Sequence, residues 1–382
     1  MAGIYIHIPF CVSKCRYCDF VSFPCDADTK KQYVNALIKE MTIAAKEMPD
    51  RQYSSVFIGG GTPSTLEVGE IARIMKALSE NYDIAPDAEI TIEANPGTVD
   101  AEKLKEYREC GINRLSMGLQ SATPHILKAL GRIHTTDDFI KGVELAKAAG
   151  FTNINADLMY GLPEQSTEDF LKAIKMAADT GVKHISAYSL IVEENTPLYF
   201  DINGGGVLLP GEDEAFEMYE QGKALLESLG FHRYEISNYA QTGYESSHNL
   251  NYWNNGEYLG LGLNSHSAMH IDGKWLRWAN KSEFDEYLAD IEDGKRPLAD
   301  EPQNIERAEE MFECVMLGLR KTAGITNAEF EERFGESLYT AFAKAVAQLD
   351  ENGLLIKTPD GIKLNDRGLD IENLALMPFM ED

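Results

Sequence analysis

Apolar positions over the first 240 residues alternate between two textures. Short β-rich runs occur at 4–9 (IYIHIP), 55–59 (SVFIG), 89–94 (EITIEA), 114–119 (RLSMGL), 153–159 (NINADLM) and 184–191 (HISAYSLI). Between them the spacing predicts helices over 28–48, 65–81, 100–110, 136–149, 167–180 and 212–229. In the first of these, Tyr33, Leu37, Met41 and Ala45 recur at every fourth position with Val34 and Ile38 beside them, one apolar face at helical period. Thr167 with Glu168 and Asp169, and Asp100 with Glu102, supply helix-start signals. Six βα units in succession predict a parallel sheet with helices outside. Six falls short of the eight of a full (β/α)₈ barrel, so an open partial barrel and a doubly wound sheet both fit. In either, the loops after the strand C-termini carry the chemistry.

The texture changes near residue 240. Residues 241–281 are rich in Gly, Asn, His and Tyr and hold all three tryptophans, Trp253, Trp275 and Trp278, which reads as a loop-rich aromatic insert. Helical patterning returns at 282–293, 303–321, 326–333 and 336–352. A hairpin follows: LLIKT (354–358), a Pro359-Asp360-Gly361 turn and IKL (362–364). Helices followed by a small β wing predict a winged-helix-like domain. The expected division is 1–240, 241–281 and 282–382.

Composition narrows the function classes. The 382 residues suggest two to three domains at ~150 residues each, and the 44% hydrophobic and 25% charged content is that of a globular protein. A net charge of −27 disfavours phosphate backbones, so no nucleic-acid partner is expected. No run of ~18 apolar residues predicts a membrane span. No basic-then-apolar leader opens the sequence, and a cytoplasmic location is the expectation.

Three of the six cysteines fall within eight residues: Cys11-Val-Ser-Lys-Cys15-Arg-Tyr-Cys18. Clustered cysteines outside an oxidising compartment point to metal or catalysis. Three soft thiolates on a loop suit a [4Fe–4S] cluster with one open iron; a zinc site with a distant fourth ligand, or chance clustering of buried thiols, is the alternative. Gly59-Gly60-Gly61-Thr62-Pro63 follows the second strand, where glycines admit a ligand close to backbone N–H groups or simply make a tight βα turn. Glu93 ends the third strand ahead of Asn95-Pro96, a place where a carboxylate holds a ribose diol or caps a helix. No phosphate-binding or dinucleotide glycine fingerprint stands in place.

Cys11, Cys15 and Cys18, the glycine turn and Glu93 together resemble the radical S-adenosylmethionine (SAM) superfamily. YIHIPFCVSKCRYCDF (5–20), RLSMGLQS (114–121), LGRIH (130–134), NADLMYGLP (155–163) and a C-terminal region from MLGLRKTAGI (316–325) resemble the branch that holds oxygen-independent coproporphyrinogen III oxidase and the HemW-type haem chaperones. The resemblance implies a partial (β/α)₆ TIM-like barrel with a smaller, mainly helical, winged-helix-like C-terminal domain. It implies a [4Fe–4S] cluster on the three cysteines and SAM contacts at Tyr5, Gly60 and Glu93. Tyr17, Gly61, Thr62, Gln120, Arg132 and Asp157 match positions that the oxidase uses for a second SAM.

Three features separate the two activities. The oxidase carries a further cysteine two residues after the third, where this chain has Phe20. It has an extension ahead of its first strand, whereas here the strand begins by about Ile4. His248-Asn-Leu-Asn-Tyr252-Trp253 matches the HNxxYW motif of HemW-like proteins. Imidazole is a common haem ligand and Tyr and Trp offer flat apolar faces, although such a segment also serves as ordinary core. His266 and His270 are lesser ligand candidates, and Arg277 is a candidate partner for a haem propionate. The expected function is therefore haem binding and delivery to a client protein, with an electron donor for the cluster. Peripheral contact with a membrane client stays open. The alternative is oxidative decarboxylation of coproporphyrinogen III.

Overall fold

The computed structural model of the chain describes residues 2–48 and 50–380. The first half repeats strand and helix: β1 (Ala2–Ile8), α1 (Ala27–Ala45), β2 (Gln52–Gly60), α2 (Glu70–Asn81), β3 (Asp83–Ala94), α3 (Ala101–Glu109), β4 (Arg114–Gln120), a short α4 (Pro124–Ala129), α5 (Thr136–Ala148), β5 (Asn153–Tyr160), α6 (Thr167–Asp179) and β6 (His184–Ser189). The six strands lie in sequence order and pair parallel throughout. A doubly wound sheet reverses its strand order partway, so this is the partial barrel.

Period-two alternation divides the strands between two environments. In β1, Ile4, Ile6 and Ile8 are fully buried against the apolar face of α1, with Val34, Leu37 and Met41. The intervening Gly3, Tyr5 and His7 face the barrel interior, where they meet His248, Phe57 and the Gly60 turn. That interior is polar. Asn155 donates to Asp157 (2.8 Å) and Ser116 (2.8 Å), accepts from Ser186 (3.2 Å), and shares a bond with His184 (2.6 Å).

The sheet does not stop at six strands. After α7 (Pro197–Asn203) and α8 (Glu212–Ser228), the short β7 (His232–Arg233) and β8 (Asn238–Ala240) add antiparallel beyond β6. The 241–281 segment, expected to be loop-rich, instead folds as α9 (Ser247–Trp253), β9 (Glu257–Leu261), β10 (His266–Ile271) and β11 (Lys274–Ala279). β9 pairs parallel to β1, and β10, β11 and β12 (Gln303–Ile305) continue antiparallel, giving a twelve-stranded mixed sheet. Gly262 and Gly273 turn the chain at positive φ, which is why the segment reads as loop in sequence.

α10 (Phe284–Glu292) packs on α1. The buried Glu40 of α1 accepts from Gly262 N (2.8 Å), Asn280 Nδ2 (2.6 Å) and the Tyr287 hydroxyl (2.6 Å). A second core forms from α11 (Arg307–Leu319), β13 (Ile325–Thr326), α12 (Asn327–Phe334), α13 (Leu338–Ala341), α14 (Ala343–Glu351), β14 (Leu355–Lys357), β15 (Gly361–Leu364), α15 (Asp366–Asp370) and α16 (Glu372–Leu376). Its three-stranded sheet, ordered β13-β15-β14, is the wing expected from the Pro-Asp-Gly turn. Among the described residues no helix is long and apolar enough to cross a membrane.

Candidate functional site

The loop after β1 carries Cys11, Cys15 and Cys18, all partly exposed and free of disulfides. Backbone bonds fix it: Cys11 N donates to Phe23 O (3.2 Å), and Arg16 N to Leu130 O (3.0 Å). The glycine turn lies against it, with Gly61 N on Ile8 O (2.9 Å) and Thr62 N on Phe10 O (2.7 Å). The close approach demands these glycines. A Cβ on Gly60, whose φ is +106°, would stand 2.3 Å from His7 Nδ1, and one on Gly61 would stand 2.8 Å from three backbone atoms of the loop.

A chain of side-chain contacts joins two of the thiols. Cys11 Sγ lies 3.6 Å from Thr62 Oγ1, which accepts from Asn95 Nδ2 (2.8 Å). Asn95 Oδ1 accepts from Arg132 Nη2 (2.7 Å), and Arg132 Nη1 donates to Cys15 Sγ (3.5 Å). Arg132 also donates to Gly118 O (2.7 Å). A Cβ at Gly118 would crowd Gln120 Nε2 at 2.8 Å and Arg132 Nη2 at 2.9 Å, so Gln120 and Arg132 share the space that this glycine leaves. Gln120 itself sits at φ +65°. Tyr17 lies beside Cys15 and Arg132, its phenol pushed up by burial.

Beneath the loop, Glu93 Oε2 accepts from Gly60 N (3.0 Å). Burial first, and then the neighbouring Asp157 carboxylate, raise the Glu93 carboxyl to about 8. Asp157 is raised as well, chiefly by burial, against bonds from Asn155 and Ser116. Both buried carboxyls resist ionisation, and a further positive charge beside them would favour their ionised forms. Tyr5 lies above Phe57 and hydrogen-bonds His7 Nδ1 at 3.0 Å. The structure thus brings together Cys11, Cys15, Tyr17, Cys18, Gly60, Gly61, Thr62, Glu93, Gln120 and Arg132 around the C-terminal ends of the strands, with Tyr5 and Asp157 at mid-strand beneath them. Asn95, the link between Thr62 and Arg132, was not singled out in sequence; its place two residues after the strand-end Glu93 was the available signal.

His248 lies one ring beyond Tyr5, since Phe57 stacks on both. It sits near the N-terminal ends of the strands, 1% exposed, under Phe57 (ring centroids 5.3 Å apart). Its Nδ1 meets Ser55 Oγ (2.9 Å) and its Nε2 the Tyr252 hydroxyl (3.1 Å). Gly3 leaves room for the ring, since a Cβ there would be 3.1 Å from His248 Cε1. Burial lowers the imidazole to about 3, so it is neutral. Glu89 holds the start of α9 by accepting from Ser246 Oγ (3.1 Å), Ser247 N (3.1 Å) and His248 N (3.0 Å). In this conformation neither imidazole nitrogen is free for an iron.

The other candidates stand elsewhere. His266 is exposed at the start of β10. His270 bridges Glu257 (3.7 Å) and Glu310 (3.3 Å). Arg277 is committed to Glu313 (2.7 Å), because its guanidinium faces α11, and so it is not a free partner for a propionate.

Among the described residues no three His, Cys, Asp or Glu side chains converge on the geometry of a single metal ion. The donor set itself is three soft thiols on one loop, with a guanidinium against one and a hydroxyl against another. Three thiolates suit an iron–sulfur cluster that leaves one iron for an exogenous ligand.

Comparison with known proteins agrees with this reading of the fold. Residues 5–177 match the radical SAM superfamily, and residues 305–371 match the HemN C-terminal domain. Heme chaperone HemW of Bacillus subtilis is 37% identical over 100% of this chain and 99% of its own length. Heme chaperone HemW of Escherichia coli is 34% identical over 100% and 98%. The solved structure of coproporphyrinogen III oxidase (HemN) from Escherichia coli superposes with a TM-score of 0.84 over 99% of this chain and 89% of that one, at 24% identity, which speaks to the fold alone. With full-length identity of this order to several HemW proteins and a cysteine loop built on a radical SAM barrel, the chain belongs to the HemW family of the radical SAM superfamily.

Proposed function

We propose that this protein is a haem chaperone. It holds a [4Fe–4S] cluster on Cys11, Cys15 and Cys18, binds SAM against that cluster, and passes haem to a client apoprotein. The observation that carries the proposal is the linked set Cys11–Thr62–Asn95–Arg132–Cys15 in a chain collinear with HemW chaperones. When bound, the cluster and SAM would supply one-electron chemistry, with an external electron donor reducing the cluster.

The protein's own groups do the holding. Tyr5, Gly60 and Glu93 are assigned to the SAM at the cluster: the glycine turn offers backbone, and the Glu93 carboxyl a hydrogen-bonding and ionisable partner. Tyr17, Gly61, Thr62, Gln120, Arg132 and Asp157 are assigned to a second SAM position. Haem is assigned to the region around α9 and β9–β11. An axial role for His248 requires Nε2 to exchange the Tyr252 hydroxyl for iron, so Tyr252→Phe should preserve haem binding while His248→Ala weakens it. Unchanged haem affinity and spectrum in His248→Ala would remove His248 from the assignment.

Phe20 in the position of the oxidase's extra cysteine weighs against decarboxylation. The deciding experiment is anaerobic. Cluster-loaded protein receives SAM, a low-potential reductant and coproporphyrinogen III beside an authentic oxidase, and a second sample receives haem and an apo-haemoprotein. The expected result is haem transfer with no decarboxylated porphyrin. Multiple-turnover formation of vinyl porphyrin would overturn the chaperone reading.

A further inference from the structure

A line of hydrogen bonds inside the barrel joins Asp157 to the start of α9, and each bond dictates the next. The Asn155 amide nitrogen donates to the Asp157 carboxylate (2.8 Å) and to Ser116 Oγ (2.8 Å), so the amide oxygen faces His184 and Ser186. His184 opens β6 and is fully buried. Burial first, and then the Arg114 guanidinium, lower its imidazole well below the ordinary value, so the ring is neutral and carries a single N–H. That hydrogen sits on Nδ1, because Nδ1 stands 2.6 Å from the Asn155 oxygen, an acceptor. Nε2 is then a lone pair, and it accepts from the Tyr234 hydroxyl (2.8 Å). The Tyr234 oxygen, its hydrogen given to His184, accepts from Ser246 N (3.2 Å). Ser246 is the N-cap of α9, and its hydroxyl donates to Glu89 (3.1 Å).

From Ser246 N onward every donor in this line points toward Asp157, an arrangement in which each bond polarises its neighbour. The alternative turns the Asn155 amide over. Its oxygen then faces Asp157 and its nitrogen faces His184, which moves the ring hydrogen to Nε2 and deprives the Tyr234 hydroxyl of its acceptor. An ionised Asp157 can only accept, and so it selects the first arrangement. A cation beside Asp157 holds that carboxyl ionised. Two discrete arrangements, biased by charge at one end and by a helix cap at the other, are what coupling between separated groups requires.

We propose that His184 and Tyr234 are positioning residues that tie α9 to the state of Asp157, so that SAM at Asp157 and haem at His248 compete. The haem half of this rests on the chaperone reading. The arrangement that an ionised Asp157 selects supports Ser246 and keeps His248 on Ser55 and Tyr252. Iron on Nε2 has to displace the Tyr252 hydroxyl from a ring only 1% exposed, so α9 must yield. SAM therefore loosens haem, and haem loosens SAM by the same factor. A carrier built this way gives up its cargo when SAM arrives.

Cluster-loaded, full-length protein is compared with Tyr234→Phe, Asp157→Asn and the double variant, and thermal melts check that each folds. Two readouts need no added ligand. In nitrogen NMR of isotope-labelled histidine, the His184 ring is identified by its absence from His184→Asn. The expected species is the Nδ1–H tautomer, and the Nε2–H tautomer overturns the proposal. Amide exchange over α9 is expected to quicken in each single variant and no further in the double. Fold-changes that multiply in the double variant overturn the relay. Haem is then titrated with and without saturating SAM. The wild type is expected to lose about tenfold in haem affinity when SAM is present, the effect of one hydrogen bond, and Tyr234→Phe to lose none. Equal haem affinity with and without SAM in the wild type overturns the competition. A wild type that binds no haem overturns the chaperone reading instead, and the tautomer and the exchange rates then decide the relay alone.

Discussion

Asn95 bonds to both Thr62 and Arg132, the residues that touch Cys11 and Cys15. Asn95→Ala deletes both links without touching a thiol. Reconstituted Asn95→Ala is expected to take up iron and sulfide and then lose them faster than wild type on exposure to air, read by the decay of visible absorption. Cys15→Ser should fail at uptake. Equal decay rates for Asn95→Ala and wild type would show that the linkage is not needed to retain a cluster. Glu93 gives a second residue-scale expectation. Its carboxyl titrates near 8 because it is buried beside Asp157, and a cationic ligand binds the ionised form better. SAM affinity should therefore rise with pH up to about 8 and level off above it, with proton release on binding, and Glu93→Gln should bind more weakly with no such slope. Isothermal titration in buffers of different ionisation enthalpy reads both quantities.

α9 shows where sequence reasoning ends at the level of an element. The strands β1–β6 were legible because Ile, Val and Leu alternate against helices of clear period, and the candidate residues beside them came from the motifs of the radical SAM resemblance. The motif HNLNYW was legible as a motif, but not its placement. Its Tyr252 contact is local, one helical turn away, but nothing local says that His248 will find Ser55 and Phe57, contacts made across up to 193 residues of chain. β9–β11 were hidden for a related reason: their partners are β1 and each other, and Gly and Asn at their turns outweigh short apolar runs. The burial of His248 has a measurable result. Replacing it by Ala empties a packed site and strands the Ser55 and Tyr252 hydroxyls, so a loss of about 2–4 kcal/mol in unfolding free energy is expected. Because its folded-state value is depressed to about 3, its contribution is present above ~6.5 and fades as pH falls toward 3. His248→Phe should flatten that acid limb in denaturant melts, and an unchanged limb would assign the effect to other groups.

At the scale of the whole molecule, the two cores meet through charge. His270 of β10 stands between Glu257 of β9 and Glu310 of α11, while Arg333 of α12 holds Glu310 and lies over Trp275 (4.8 Å). The two carboxylates raise His270 to about 9, Glu257 first. A raised histidine stabilises below its ordinary ~6.5 and loses that contribution as pH climbs through its folded value. Hydrogen exchange in α11 should accelerate, relative to β4, as pH passes about 9, and His270→Gln should remove that step. An α11 that exchanges alike in both proteins across that range would dissociate the histidine from the contact. The sheet that joins these parts ends in β7, of two residues, and β12, of three. Such brief margins give a neighbouring chain almost no ladder to extend, and a net charge of −27 adds repulsion between copies at low salt. Edges this short leave the barrel few unpaired main-chain groups on which another strand could be templated.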